Sequence, residues 1–405
     1  MSTVITGIGA LTPNGLGIEA FWKATLAGHS GIGELTGFDT SKYPSRLAGQ
    51  ITDFVAGDHL PSRLLPQTDV STRYALAVAA WALADAGVDE TTLPDYDMGT
   101  VTSNALGGFE FTHREFSKLW SQGSEFVSVY ESFAWFYAVN TGQISIRHKL
   151  RGPSAALVGE QAGGLDAVGH ARRTVRRGTR LVVCGGVDSA LDPWGWVSQL
   201  AGGRVTTATD PAVAYLPFDV RADGYAPGEG GAILVAEDSA GARQRGAPKI
   251  YGEIAGYAST FDPRPGSGRE PALRRAIEAA LADAHLAPAD IDVVFADAAG
   301  LPDLDRAEAE ALRTVFGPRG VAVTAPKALT GRMYAGGGPT DLATALLSIR
   351  DGVIPASGGT ELVPDEYGID LVTGEPRTKP VSAALVLARG RWGFNSAIVV
   401  TRHDA

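Results

Sequence analysis

Cysteine is almost missing from this chain of 405 residues: Cys184 is the only one. That excludes an intrachain disulfide and a thiolate metal cluster, and it points to a cytosolic setting. Basic charge is also short, with 35 Lys and Arg against 45 Asp and Glu and a formal net charge of −10. A nucleic-acid-binding surface requires a basic face, so that class of partner is not expected. No apolar run approaches membrane-spanning length, and the opening Ser2-Thr3-Val4-Ile5-Thr6 has neither the basic region nor the apolar core of a secretory signal. The expectation is a soluble cytoplasmic protein with no membrane partner.

Hydrophobic residues make up 44% of the chain, enough for a substantial core, and the length suggests two domains or two halves around one core. Strand-like and helix-like segments alternate throughout. Strands are expected near 3–7, 98–102, 180–187, 250–259, 291–296, 321–324, 383–388 and 396–401. Helices are expected at 19–27, from Ser71 as N-cap to Gly87, at 107–120, 132–147, 271–285, 305–316 and 340–350. Such alternation implies an α/β fold with buried sheets. The stretch 238–248 interrupts the core pattern, which places a boundary between a half at 1–245 and a half at 246–405.

Some signals lead nowhere. Gly7-Ile8-Gly9 opens like a dinucleotide fingerprint but lacks the third glycine, and Pro13-Asn14-Gly15 follows as a turn. Cys184 lies among Leu, Val and Gly with no base or cation nearby, as a core cysteine does. The cluster Arg172, Arg173, Arg176 and Arg177 fits a solvated helix face.

Residues 155–170 are more informative. An apolar run stops at Gly159, and an alanine-rich helical segment follows. Gln161 stands at this strand-to-helix turn, where backbone N–H groups are unpaired and the helix dipole is positive. A thiol there would be biased toward thiolate, whereas an amide can only donate and accept hydrogen bonds.

The run Gly159-Glu160-Gln161-Ala162-Gly163-Gly164-Leu165-Asp166-Ala167 resembles the nucleophile elbow of β-ketoacyl synthases, with glutamine in place of cysteine. Together with Tyr130 to Gly142 and Gly185 to Trp196, it most resembles the chain-length factors, or ketosynthase β subunits, of aromatic type II polyketide synthases, and among them the octaketide, actinorhodin-like type. The resemblance implies a thiolase-like fold, two pseudo-repeated halves in an αβαβα layered arrangement with helices between and outside two sheets. It also implies a heterodimer with a ketosynthase α subunit.

By the same resemblance the family's first histidine falls on Asp297 and its second on Arg332, while the motif lysine persists as Lys327. Neither replacement can act as a neutral donor as imidazole does, but the two could pair with each other. In Gly393-Phe394-Asn395-Ser396-Ala397 two glycines of an oxyanion loop are lost. No intact catalytic set is therefore expected. Phe109, Thr112, Phe116, Phe133 and Trp194 are implied to line the far end of an acyl tunnel that holds the growing poly-β-keto chain. No metal or cofactor of its own is implied, and the phosphopantetheine of a partner acyl carrier protein would enter through the ketosynthase subunit. The alternative is a malonyl-carrier-protein decarboxylase that primes synthesis through Gln161.

Overall fold

The chain opens with a strand, β1 (Thr3–Thr12), buried along its whole length. Its ten residues carry no charge, so both faces can be covered. The computed structural model describes residues 2–89, 93–264 and 266–403. Four more strands complete a first set: β2 (Met98–Ser103), β3 (Ser154–Leu157), β4 (Leu181–Asp188) and β5 (Gly230–Asp238). A second set follows as β6 (Gly252–Phe261), β7 (Val293–Phe295), β8 (Ala322–Thr324), β9 (Asp370–Leu371), β10 (Ala383–Arg389) and β11 (Phe394–Thr401).

Outward from the middle, the first set runs β1-β5-β4-β2-β3 and the second β6-β11-β10-β7-β8, with β9 added at the far edge. The strand directions repeat as well. β2 is parallel to β3 and β4, as β7 is to β8 and β10; β9 adds to β8 in parallel at the edge, and the remaining neighbours in each set are antiparallel. Two halves therefore share one topology. They are not two separate sheets, because antiparallel pairing of Val4 with Glu253 and Ile5 with Gly252 joins β1 to β6 and makes one continuous path.

Helices fill the layers. α1 (Val70–Asp85) covers the outer face of the first strand set. Between the sets lie α3 (Gly163–Arg176) and α7 (Gly337–Asp351), which follow α2 (Phe109–Ser121) in the chain and are separated by α4 (Pro193–Leu200), α5 (Leu273–Ala284) and α6 (Pro302–Phe316). α7 is buried from Gly337 to Ile349. A helix apolar or small on every side belongs inside a protein. α5 packs on the outer face of the second set and α6 beside it, giving the αβαβα order.

Four local expectations change. Asp69, not Ser71, caps α1: its carboxylate accepts from Ser71 N at 2.8 Å and also from Phe111 N at 2.9 Å, so one side chain closes the starts of two helices. Residues 132–147 form two helices, Glu131–Ala134 and Val139–His148, with a break at Trp135 to Ala138. Trp135, Phe136 and Tyr137 in that break are exposed, so the apolar run has no core to fold against within this chain. The expected boundary stretch holds a short helix, Ser239–Gln244, capped by Asp238. Arg172 is buried rather than solvated, with Nη1 on Asp283 at 2.6 Å and Nε on the Ile254 carbonyl at 2.8 Å, and so ties α3 to the second half. Arg173, Arg176 and Arg177 are exposed as expected.

Candidate functional site

Strand β3 ends two residues before Gly159, a one-turn 3₁₀ segment spans Glu160–Ala162, and α3 begins at Gly163. The turn is tight. Glu160 takes φ 51°, the left-handed region that costs a non-glycine residue about 1–2 kcal/mol. Its carboxylate accepts from Arg391 N at 2.6 Å and from Gln161 N at 3.2 Å, which holds the strained residue in place. Sequence reasoning passed over Glu160. Its signal was an acidic residue beside the elbow position, where Gly390-Arg391 returns from the other half.

Gln161 is fully buried. Among the described residues neither Oε1 nor Nε2 of its side chain has a hydrogen-bond partner. The amide presses on Gly337 at the start of α7, where a Cβ would overlap it. Glycine at 337 leaves room for the glutamine amide.

Asp297 and Arg332 do meet. Arg332 Nη2 lies 3.1 Å from both Asp297 carboxylate oxygens and 2.9 Å from the Arg389 carbonyl, while Nη1 reaches the Asp297 carbonyl at 3.3 Å. Both side chains are buried. Burial alone would raise the pKa of Asp297, but the charges of Arg332, Lys327 and Arg389 outweigh it and hold the carboxyl below its usual range. Burial likewise works against the Arg332 charge, and Asp297 more than offsets it. The pair stays ionised, so neither member supplies a neutral donor. Lys327 is paired beside it with Asp341 at 2.6 Å, and burial still pushes the Asp341 carboxyl up to about 6.

Gly393 keeps a left-handed φ of 100°, so the C-terminal turn persists. Asn395 then enters β11 and uses its amide on Asp262 at 2.8 Å and on the Gly393 carbonyl at 3.1 Å. Asn395 thus acts as a side-chain clamp on this turn.

The aromatic set is partly assembled. Phe109 and Phe116 on α2 both meet Trp194 on α4, with ring centres 5.6 and 5.7 Å apart. Thr112 lies buried on the same helix, one turn from each phenylalanine. Phe133 is not stacked with them; it sits on the neighbouring short helix against Tyr130, at 5.9 Å. α4 starts where it does because Asp192 caps it, accepting from Trp194 N and Gly195 N, with Pro193 in the first turn.

The β-ketoacyl synthase N-terminal domain matches residues 2–240, and the C-terminal domain matches residues 251–361. The chain is 68% identical to the actinorhodin polyketide β-ketoacyl synthase 2 of Streptomyces coelicolor over 402 residues, 99% of each. It is 58% identical to the tetracenomycin polyketide synthase ketoacyl synthase beta subunit of Streptomyces glaucescens, over 99% of this chain and 98% of that protein. The chain belongs to the β-ketoacyl synthase family. Within it, the chain stands with the ketosynthase β subunits, or chain-length factors, of type II polyketide synthases. The fold agrees: the ishigamide ketosynthase/chain length factor superposes with a TM-score of 0.89 at 24% identity, over 100% of this chain and 99% of that one.

For a chain-length factor, the arrangement has one chemical consequence. Condensation needs a thiolate, donors for an enolate and an oxyanion hole. Of the residues that the resemblance sets at those places, Gln161 is an amide, Asp297 and Arg332 form a closed ion pair, and Asn395 is a side-chain clamp. The lone thiol, Cys184, is buried in β4, and burial pushes its pKa up to about 12, so it is a core residue as its neighbours in sequence indicated.

Proposed function

We propose that this chain is a non-condensing subunit that pairs with an active ketosynthase α subunit and, by limiting space, sets the length of the polyketide, an octaketide. A partner acyl carrier protein delivers the units, and its phosphopantetheine enters through the ketosynthase. The observation that carries the reading is an exposed apolar surface on one side of the first half. Phe116, Trp120, Phe126, Val129, Trp135 and Ile146 are each more than a third exposed, as are Trp194 and Val197 on the adjoining α4. A single chain rarely leaves so much aromatic surface in water unless another protein covers it. Among the described residues strand β3 is the edge of the sheet and pairs with β2 alone, and Val158 just beyond it is also exposed. An open edge of this kind is suited to receive a partner.

Phe109, Phe116 and Trp194 stand in that surface, so a partner covering it would enclose them. Extension would stop once another ketide unit had to overlap the packed rings. The test is coexpression with the ketosynthase and a carrier protein, with the released polyketide weighed by mass spectrometry. Phe116→Ala and Phe109→Ala are expected to yield longer chains. Unchanged product mass in both would remove the gate from these residues.

One observation favours the second reading, decarboxylative priming: the Gln161 amide has no partner of its own. Acetyl carrier protein formed from malonyl carrier protein by the heterodimer, and lost in Gln161→Ala with assembly intact, would establish it.

A further inference from the structure

Trp194 meets Phe109 and Phe116 across the space between α4 and α2. α4 is fastened to the body on its inner side. Trp196 is buried and donates from Nε1 to the Ser45 carbonyl at 3.2 Å, while Gln199 donates to the Ala190 carbonyl at 2.7 Å and accepts from the Tyr334 hydroxyl at 3.1 Å. Its exposed side carries Trp194 and Val197. With α4 held in this way, the spacing of the three rings depends on where α2 stands.

Behind α2 there is open space. A cavity of about 720 Å³ is lined by Glu110, Arg114, Ser117 and Ser121 of this helix and by Tyr74 and Glu229 of the body. The helical period puts those four α2 residues on a different face from Phe109, Thr112 and Phe116. Polar side chains on the cavity side bond within the helix: Arg114 Nη1 to Glu110 at 3.1 Å, Lys118 Nζ to Glu115 at 2.8 Å, and Ser117 and Ser121 to carbonyls one turn earlier. They stiffen α2 without tying it to α4. A helix that borders a void also forgoes the dispersion contacts that would hold it to one position.

His113 is the exception. It sits at the border of the two faces, one turn from Phe109 and one from Phe116, and its Nδ1 lies 3.0 Å from Asp192 Oδ2. A carboxylate accepts, so Nδ1 is the donor. The same Asp192 oxygen accepts from Trp194 N at 3.0 Å, and its other oxygen accepts from Gly195 N at 3.2 Å. One side chain thus joins α2 to the turn that presents Trp194. Among the described residues this is the only polar contact between α2 and the segment 192–200. We propose that His113 and Asp192 are positioning residues for chain length: their contact sets how closely Phe109 and Phe116 approach Trp194, and so how much room the gate leaves. The assignment rests on the chain-length reading of those rings.

The test is the mass distribution of the polyketide released when the full chain is coexpressed with its ketosynthase and carrier protein. His113→Leu keeps bulk and removes the donor. Asp192→Ser keeps a cap for α4 but is too short to reach His113. His113→Asn keeps a donor near the place of Nδ1. In the first two variants the share of longer chains is expected to rise at least about threefold, with assembly intact by gel filtration, whereas His113→Asn is expected to hold the parent distribution. Parent products from His113→Leu and Asp192→Ser, beside longer chains from Phe116→Ala, would overturn the positioning role and leave the gate standing. Parent products from all of them, Phe116→Ala included, would remove the gate and this assignment with it. Equal effects of His113→Asn and His113→Leu, or failure of both contact-breaking variants to assemble, would make the pair a packing contact only and overturn the assignment as well.

Discussion

Removing one member of the Asp297–Arg332 pair tests how this site is held together. Asp297→Ala leaves a guanidinium only 5% exposed in its side chain, with carbonyl oxygens as its remaining acceptors. Leaving one charge of a buried pair uncompensated costs about 3–5 kcal/mol. Replacing both members with apolar groups of similar bulk, as in Asp297→Ala with Arg332→Met, removes the charge to be compensated and is expected to recover most of that loss. The assay is urea unfolding followed by circular dichroism, comparing the single and double variants at pH 7. Because the folded pKa of Asp297 lies below its unfolded value, the pair's contribution is present above about pH 4 and is lost as pH falls through the lower folded value. A single variant within about 1 kcal/mol of the parent, or a double variant as unstable as the single, would refute the account of a site stabilised by a closed ion pair.

Other consequences are simpler to measure. Gly337→Ala is expected to destabilise the chain by about 1–3 kcal/mol in the same urea assay, since its methyl would overlap the Gln161 amide, and Gln161→Ala is expected to restore most of it. Cys184 is expected to resist iodoacetamide at pH 8 until the chain is unfolded, when mass spectrometry will find it alkylated. Burial raises the carboxyls of Glu229, Asp188 and Asp305 to about 7, so their contribution is full below the ordinary carboxylate range and is lost as pH rises through 7. The urea midpoint is therefore expected to fall between pH 5 and pH 8, with a shallower slope in Glu229→Gln, whose parent carboxylate accepts from Ser189 Oγ at 2.6 Å and Ile51 N at 2.8 Å.

The elements legible in the sequence were those whose apolar period is satisfied within the chain. β4, β10, β11 and α5 fall within a few residues of their expected places because their buried faces meet the common core. The segment 132–147 failed for the opposite reason: its aromatics face outward, and periodicity cannot show whether an apolar residue is meant for its own core or for another protein. Ser71 was misread as a cap because the side chain that closes α1 also serves Phe111, some forty residues on. The site divides in the same way. The pairing of Asp297 with Arg332 was legible, but the unpaired Gln161 amide and the carboxylate turn at Glu160 depend on contacts between α3, α7 and the return at Gly390, which lie far apart in the chain.

Asp297 and Arg332 also form a set. An arginine alone at position 332 would be a buried charge without a partner, and an aspartate alone at 297 would sit beside Glu308, whose carboxylate accepts from Asp297 N and Ala298 N at 2.8 Å and would repel it. Each residue is tolerable only with the other present. On the proposed reading, Gln161→Cys alone is expected to leave the chain without condensing activity, since neither Asp297 nor Arg332 carries an imidazole. The pair is therefore closed to single substitution, because changing either residue alone leaves the other's buried charge uncompensated.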